Sequence, residues 1–457
     1  MLLIKKYLNS RLYLLTVLIV SMVFWLLAFL SHNEKIDINI QPKIENISLL
    51  SYGIICFILL VFNRNTFYFI PWVIFIPFVF ARPFTALEKP KTIFIASGIM
   101  ILGLVLNLII YRPKFKIGHF FIGLAVLCFA FVLGGINVPN DNSRFQILLT
   151  LVCVVAFLLL YVVLSSSSET NFKMICRLFT YLGIFLVFEL AVYFKIQPDF
   201  KEAFLSKNST VGWGISNNIA LMLLFTFPFT VYLVLVSSNI KTVFYVLIMT
   251  GECLGILFTY SRGAIISMFV GVAFFIQFSI WKAKDRITTS ISIVVLLALL
   301  GFGILFCYKR YNEEFERFID IAFKMNFDDF NGRKAIYEDC IKSLKEYPIF
   351  GKGVLSTFQS DGTYEWGHST ILQTVRTMGY VGIFAMAFHL IQKYFVLIYR
   401  PSLWKIITAS AFAISGLYGL FDVSYYFINY MIPLIMAMAI IECLFRKGGE
   451  DEYELLY

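Results

Sequence analysis

Apolar segments with almost no charge recur along most of this chain, and short polar breaks separate them. A helix needs about 20 apolar residues to cross a hydrocarbon core of about 30 Å, and most of the segments reach that length. We predict about 14 membrane spans, with centres near residues 22, 55, 74, 101, 127, 155, 184, 228, 250, 272, 299, 388, 413 and 435. The pattern therefore predicts an all-α polytopic integral membrane protein with about 12–14 transmembrane helices.

The polar breaks alternate in charge along the chain. Those on one side are strongly biased to Lys and Arg, and they lie at residues 1–11, 63–65, 111–116, 171–173, 239–241, 281–286, 399–405 and 446–449. The positive-inside rule places these segments, and both termini, in the cytoplasm. The first apolar run lacks a small-residue cleavage site, so we interpret it as an uncleaved span rather than a signal peptide.

The opposite side carries one large polar loop at 309–367, in which acidic and basic residues are mixed. A loop of about 60 residues can cross the membrane whatever its charge, so we expect it outside the cytoplasm. Apolar spacings in GRKAIYEDCIKSLKEY predict a helix, which Pro348 ends. The chain therefore divides into a transmembrane bundle (1–308), this extracytoplasmic loop with helices (309–367), C-terminal transmembrane helices (368–445) and a cytoplasmic tail (446–457).

The composition supports a membrane protein and argues against other classes. Hydrophobic residues make up 60% of the chain and charged residues only 14%, against about 45–50% apolar residues in soluble domains. The net charge of +10 is explained by the basic cytoplasmic breaks and needs no nucleic-acid partner. The 8 cysteines are scattered singly, which favours buried thiols. Neither metal-ligand spacing nor a phosphate-binding loop occurs, so we expect no metal and no nucleotide cofactor.

His368 lies in a polar, glycine-flanked context where the large loop re-enters the membrane. A histidine suits proton transfer because its unperturbed pKa lies near 6.5. An interfacial histidine at the start of a helix explains the same position equally well. On a helix His368 would share a stripe with Gly379, which together with Gly382 allows close packing against a neighbouring helix.

Arginines near the outer ends of the spans are the other candidates for a site. Arg262 follows Ser261 in TYSRGA, a tight break where an arginine gains little unless an anion such as phosphate is present. Arg82 and Arg144 lie at span ends, where interfacial snorkelling is an equal alternative. Arg376 lies close to the re-entry point, and ionisable groups near membrane depth usually face an interior or a wet cavity.

Four motifs in order resemble one known family. HSTILQTVRTMGYVG fits His-[Asn/Ser/Gln], nine residues, Gly-x-x-[Gly/Thr/Tyr], the signature of O-antigen ligases. GRKAIYEDCIKSLKEYPIFGKG resembles the Gly-Arg … Pro-x-x-Gly-x-Gly segment of the O-antigen ligase/polymerase family. TYSRGA and GWGISNNIALMLLFTFP resemble its Ser-Arg-Gly break and its Asn-x-x-Ala span. The agreement runs from about residue 212 to 382, and the first 200 residues match only as a stack of spans.

The resemblance implies a GT-C-like membrane glycosyltransferase, which takes a glycan from an undecaprenyl-diphosphate carrier at the outer face of the cytoplasmic membrane, without metal or nucleotide. It implies an essential histidine and essential outer-side arginines. The histidine carries over to His368 as the catalytic base and one arginine to Arg262, which would stabilise the diphosphate leaving group. A second arginine corresponds to Arg82 or Arg144, and the further candidates for substrate binding are Ser261, Arg333 and Arg376. The displacement would invert the anomeric configuration.

The acceptor stays open at this point. A polymerase passes the glycan to a carrier-linked repeat unit, whereas a ligase passes it to lipid A–core or, in relatives, to a protein. We favour a polymerase, with a chain-length regulator as a further partner, because polymerases are the more divergent group and this chain matches only at its motifs. A lipid-linked glycan flippase is the alternative of another class, but it needs no large outer loop with a histidine, and the chain shows no internal repeat.

Overall fold

The computed structural model of the chain is almost entirely helical. It describes residues 2–35, 37, 40–81, 90–134, 136–137, 142–198, 209–211, 214–310, 313, 316–317, 319–320, 333–353, 367–425 and 428–446. Within these ranges the strands are a two-residue antiparallel pair, β1 (Thr210–Val211) and β2 (Gly214–Ile215). The prediction of an all-α polytopic membrane protein is confirmed.

Sixteen α-helices lie within the described ranges. They are α1 (Leu2–Leu8), α2 (Arg11–His32), α3 (Ile40–Phe62), α4 (Ile70–Phe75), α5 (Pro90–Tyr111), α6 (Phe121–Leu133), α7 (Asn142–Ser167), α8 (Phe172–Ile196), α9 (Ser216–Val236), α10 (Ile240–Phe258), α11 (Arg262–Lys282), α12 (Arg286–Arg310), α13 (Lys334–Glu346), α14 (Thr370–Ile398), α15 (Leu403–Tyr418) and α16 (Ile428–Arg446). Two short 3-10 helices, Thr66–Phe69 and Ile76–Val79, flank α4.

Each predicted span centre falls inside one of these helices. Eight helices within the described ranges are long and apolar enough to cross a membrane, namely α2, α3, α5, α8, α9, α10, α11 and α14. The predicted span near residue 74 is instead three short helices in sequence. Pro71 and Pro77 stand at the start of the second and third of these helices. Proline cannot donate a helical hydrogen bond, so each one ends the turn before it.

The chain forms two compact units that do not follow chain order. The first unit comprises residues 1–113 and 167–324, and the second comprises residues 114–166 and 325–457. In the first unit, α9 is buried along almost its whole length, and α8 and α10 pack against it. In the second unit, α14 packs against α6, α13 and α15. The division at residues 308 and 367 stays a prediction, and the tail beyond residue 446 lies outside the described residues.

The helix predicted in the large loop is confirmed as α13. It begins after Arg333 and ends at Glu346, one residue before the turn that contains Pro348. Cys340 and Ser343 are its buried positions, and charged residues such as Lys334, Glu338 and Lys342 are exposed. Much of the remaining loop, including residues 321–332 and 354–366, lies outside the described part of the chain.

Candidate active site

The helix that follows the re-entry point is broken in the middle. Gly379 adopts φ +58° and ψ −148°, which no α-helix contains, so α14 consists of a first arm (370–378) and a second arm (380–398). A positive φ of this kind is readily tolerated only by glycine. The break interrupts the helical hydrogen-bond ladder and leaves backbone groups on both arms in need of partners.

A strap formed by residues 348–353 supplies those partners. Four backbone hydrogen bonds join the strap to the two arms. At the first arm, the Lys352 amide donates to the Arg376 carbonyl oxygen (2.8 Å) and the Gly353 amide to that of Thr377 (3.1 Å). At the second arm, the Tyr380 amide donates to the Pro348 carbonyl oxygen (2.8 Å) and the Val381 amide to that of Ile349 (3.1 Å). The strap therefore completes the hydrogen bonding on both sides of the break.

Two glycines make this close contact sterically feasible. A Cβ on Gly379 would collide with the carbonyl oxygen of Pro348, and a Cβ on Gly351 would collide with the backbone at Met378. Gly351 also has a positive φ, +68°. The Pro-x-x-Gly-x-Gly segment, which forms the strap, and Gly379 of the His-Ser motif thus contact each other directly through their backbones.

His368 lies directly before the first arm of α14. Its φ of +45° is in the left-handed region, which a non-glycine residue adopts at some energetic cost and often at functional sites. The arm is tied to the loop between α15 and α16, because the Thr370 amide donates to the Gly419 carbonyl oxygen at 2.7 Å. The Thr370 hydroxyl is 3.1 Å from the Ser424 hydroxyl and accepts a hydrogen bond from the Ser424 amide at 3.0 Å.

This loop brings a buried carboxylate to the histidine. Asp422 Oδ1 lies 3.4 Å from Nδ1 of His368, whose side chain is 32% exposed while that of Asp422 is 8% exposed. The Tyr418 hydroxyl donates to Oδ2 of Asp422 at 3.1 Å, and the Val423 amide donates to Oδ1 at 2.8 Å. A carboxylate at this distance from Nδ1 is placed to orient the imidazole.

Asp422 is ionised in this environment. Burial raises the pKa of its carboxyl, but the contact with His368, the Val423 amide and the charge of Arg333 lower it, and the net pKa lies below the ordinary value of 3.8. Several favourable contacts to the charged form outweigh desolvation here.

Arg333 joins the same cluster from the start of α13. Its Nη1 donates to the carbonyl oxygen of Phe421 at 2.7 Å, next to Asp422. The structure therefore brings together two of the residues singled out in the sequence, His368 and Arg333, around a loop that the sequence analysis did not select.

Arg376 takes a different position in the second unit. Its side chain is 5% exposed, and Nη2 lies 3.3 Å from Oδ2 of Asp339 on α13. The pair ties α13 to the first arm of α14 on the segment that the strap also contacts. Its predicted part in substrate binding stays a prediction.

Ser261 and Arg262 belong to the first unit, between α10 and α11. Tyr260 before them is buried and has a φ of +53°, so the chain turns sharply there. Ser261 is the buried N-cap residue of α11 and accepts a backbone hydrogen bond from Ile265 at 2.9 Å. Arg262, which is partly exposed, is the first residue of the helix. The break predicted from TYSRGA is thus present, and it separates α10 from α11.

The two remaining arginines have no described side chain. Arg82 lies outside the described residues, and Arg144 lies in the first turn of α7, where only the backbone is described. Their predicted roles stay predictions.

Asp422 is the residue that sequence reasoning missed. It stands in GLFDVSYYF, in the break between the predicted spans near 413 and 435. An acidic side chain at the end of an apolar run requires a partner, and that signal could have drawn attention to it. Among the described residues, no three His, Cys, Asp or Glu side chains form a group that could hold a metal ion.

The comparisons with known proteins bear on the same segment. No curated protein matches the chain. The family model described as O-antigen ligase matches residues 244–387, which include Arg262, Arg333, His368, Arg376 and Gly379. This match supports a membrane enzyme that transfers glycan. Residues 244–387 thus match the O-antigen ligase domain, and the resemblance to the O-antigen ligase/polymerase family is confirmed.

Proposed function

We propose that this protein transfers a glycan from an undecaprenyl-diphosphate-linked donor to a sugar hydroxyl at the outer face of the cytoplasmic membrane. The observation that carries the proposal is the contact between His368, directly before α14, and Asp422, in the loop after α15. His368 lies inside the matched segment and Asp422 lies outside it. A histidine oriented by an ionised carboxylate is a suitable general base.

His368 acts on the acceptor. Its Nδ1 faces Asp422, so Nε2 is the atom that takes the proton from the attacking hydroxyl. The hydroxyl oxygen then forms a bond to the anomeric carbon, and the bond from that carbon to the diphosphate oxygen breaks. The electron pair leaves with the carrier diphosphate, the anomeric configuration inverts, and Asp422 stabilises the imidazolium that forms. No metal ion takes part in this scheme.

Arginine stabilises the charge that develops on the diphosphate. Arg262 is the main candidate because its motif resembles that of the family and because it is the first residue of α11, where the helix dipole also favours anions. Arg333 is the candidate beside His368 within the second unit, and Arg82, Arg144, Arg376 and Ser261 remain further candidates for donor binding. Electrostatic stabilisation of this kind is worth several kcal/mol in enzymes.

A carrier-linked repeat unit is the proposed acceptor, which makes the protein a polymerase of O-antigen, capsular or exopolysaccharide type. Transfer to lipid A–core or to a protein, as a ligase, is the alternative, and the name of the matched family favours it. Both reactions use the same base and the same leaving group, so the site chemistry does not separate them.

The test is glycan transfer by purified protein in lipid nanodiscs. The carrier-linked glycan extracted from the source cells is supplied alone or with lipid A–core, and products are separated by size and identified by mass spectrometry. Longer carrier-linked glycan in the first mixture indicates a polymerase, and product only in the second indicates a ligase. Absence of any product in both, with donor shown to bind, would contradict the proposal.

A further inference from the structure

A lysine is buried in the second unit, on the second arm of α14. Lys393 on the second arm of α14 is 1% exposed, and its Nζ donates a 2.5 Å hydrogen bond to the Tyr425 hydroxyl. Three aromatic rings surround the ammonium group, with centroids 4.9–5.3 Å from Nζ: those of Tyr394, Phe412 and Tyr425. Within the described ranges no carboxylate pairs with it. A charged group at membrane depth is costly, so its presence requires a specific reason.

The partner of Lys393 belongs to the loop that carries Asp422. Tyr425 follows Asp422 by three positions, and the residue before it, Ser424, contacts Thr370 at the start of the first arm. Thr370 and Lys393 lie on the same helix and would be about 35 Å apart if it were straight. They contact adjacent residues of one loop because the chain bends at Gly379.

The loop is therefore held from three directions. Thr370 binds it from the first arm, Arg333 binds the Phe421 carbonyl oxygen from α13, and Lys393 binds Tyr425 from the second arm. The Tyr425 ring also packs edge-on against His389 and Tyr430, which limits its rotation. Of these three contacts, the hydrogen bond from Lys393 to Tyr425 is the one that reaches the loop from the second arm of α14.

We propose that Lys393 is a positioning residue of the active site, which holds the Asp422 carboxylate against His368 through its hydrogen bond to Tyr425. The expected effect on catalysis rests on the proposed function. Lys393 touches neither substrate nor the reacting atoms. This positioning role explains why a lysine is buried at a place where an apolar side chain would cost less desolvation free energy.

The direct test removes one hydrogen bond with little change in packing. Tyr425→Phe keeps the ring and deletes the hydroxyl, and Lys393→Met removes the donor and keeps a flexible chain. Each is expected to lower kcat about tenfold with KM within about twofold of the wild-type value. Lys393→Gln restores a neutral donor and is expected to recover part of the loss. Tyr394→Phe is the matched control, because its ring also faces Nζ but its hydroxyl is not the one that Lys393 binds.

A double-mutant comparison separates positioning from general stability. If Lys393 acts through Asp422, then Tyr425→Phe causes no further loss of kcat in the Asp422→Asn background. A purely structural lysine would instead give losses that multiply. Multiplying losses overturn the proposal.

A second readout needs no glycan transfer. Diethyl pyrocarbonate modifies accessible histidines, and mass spectrometry of the peptide that contains His368 gives the rate of modification at that residue. Tyr425→Phe and Lys393→Met are expected to change this rate in the same direction as Asp422→Asn, whereas Tyr394→Phe leaves it unchanged. His32, in the first unit, serves as the internal reference.

The two readouts distinguish failure of this inference from failure of the proposed function. If the wild-type protein transfers no glycan, the proposed function fails, and the modification rate still tests whether Lys393 positions Asp422. Unchanged modification of His368 in folded Tyr425→Phe and Lys393→Met overturns the inference even when transfer is observed. Folding is checked for every variant by its size-exclusion profile and melting temperature.

Discussion

The Asp422 carboxylate lies 3.4 Å from Nδ1 of His368, although His368 directly precedes α14 and Asp422 lies in the loop after α15. The contact exists because the first arm of α14 and the loop after α15 are joined through Thr370. This pair of residues converts a histidine at a helix start into a candidate base, and most of the following predictions depend on it.

Replacement of the histidine should abolish transfer without unfolding the protein. His368→Ala removes the proposed base, and general base catalysis typically contributes on the order of 10²–10⁴-fold. Because the side chain is partly exposed, we expect a change in unfolding free energy within about 1 kcal/mol. The measurement is the rate of product formation by purified variants. His32→Ala is the control and should retain activity, whereas a folded His368→Ala protein close to the wild-type rate would remove the histidine from the mechanism.

Asp422→Asn should impair transfer and also change the acid stability of the protein. The pKa of Asp422 is lower in the folded state than its ordinary value of 3.8, so its ionised form stabilises the fold. That contribution to the unfolding free energy is fully present once the pH is about one unit or more above 3.8, and it is lost as the pH falls through the pKa of the folded state. The melting temperatures of wild type and Asp422→Asn should therefore differ near neutral pH and converge at acidic pH. A constant difference across this range would contradict the assignment.

Gly379→Ala should destabilise the second unit and reduce activity. The backbone conformation alone costs about 1–3 kcal/mol for an L-residue, and the new Cβ would collide with the Pro348 carbonyl oxygen. Loss of the strap contact would also release the first arm that positions His368. The control is Gly98→Ala on α5, where a Cβ meets nothing within 4 Å. Thermal unfolding of both variants checks the prediction, and equal melting temperatures would exclude strain at the break.

Arg262→Lys should lower activity even though the charge is kept. The planar guanidinium can bind two diphosphate oxygens at once, which a lysine ammonium cannot reproduce. We expect a loss of tenfold or more in kcat/KM, on the order of 1.4 kcal/mol. The assay is transfer at varied donor concentration. A wild-type rate with unchanged donor affinity would show that Arg262 has no part in diphosphate binding.

The orientation of α13 tests the topology inferred from charge. Glu338 is exposed on α13, and a cysteine there should react with a membrane-impermeant maleimide in intact cells. Lys284→Cys, in a basic break, is the matched site and should react only after permeabilisation. The opposite pattern would reverse the orientation and place the candidate site on the cytoplasmic side.

The class of the protein and the positions of most helices could be predicted from local sequence patterns. Apolar run length and helical spacing are local properties, so they located α2 and α14 as spans and α13 as a loop helix without knowledge of the chain path. The run near residue 74 behaved differently, because the two prolines divide it into short helices and the apolar average does not register them.

The pairs of side chains that meet at the site could not be predicted in this way, because they depend on the folded path of the chain. Asp422 faces His368, Lys393 faces Tyr425 and Arg376 faces Asp339, and each pair joins separate elements of the second unit. Such pairs depend on the bend at Gly379 and on the strap that satisfies it, and a backbone break of one residue leaves no trace in hydrophobic periodicity. Local patterns encode where a helix forms, whereas the direction in which it turns depends on contacts between residues far apart in the chain.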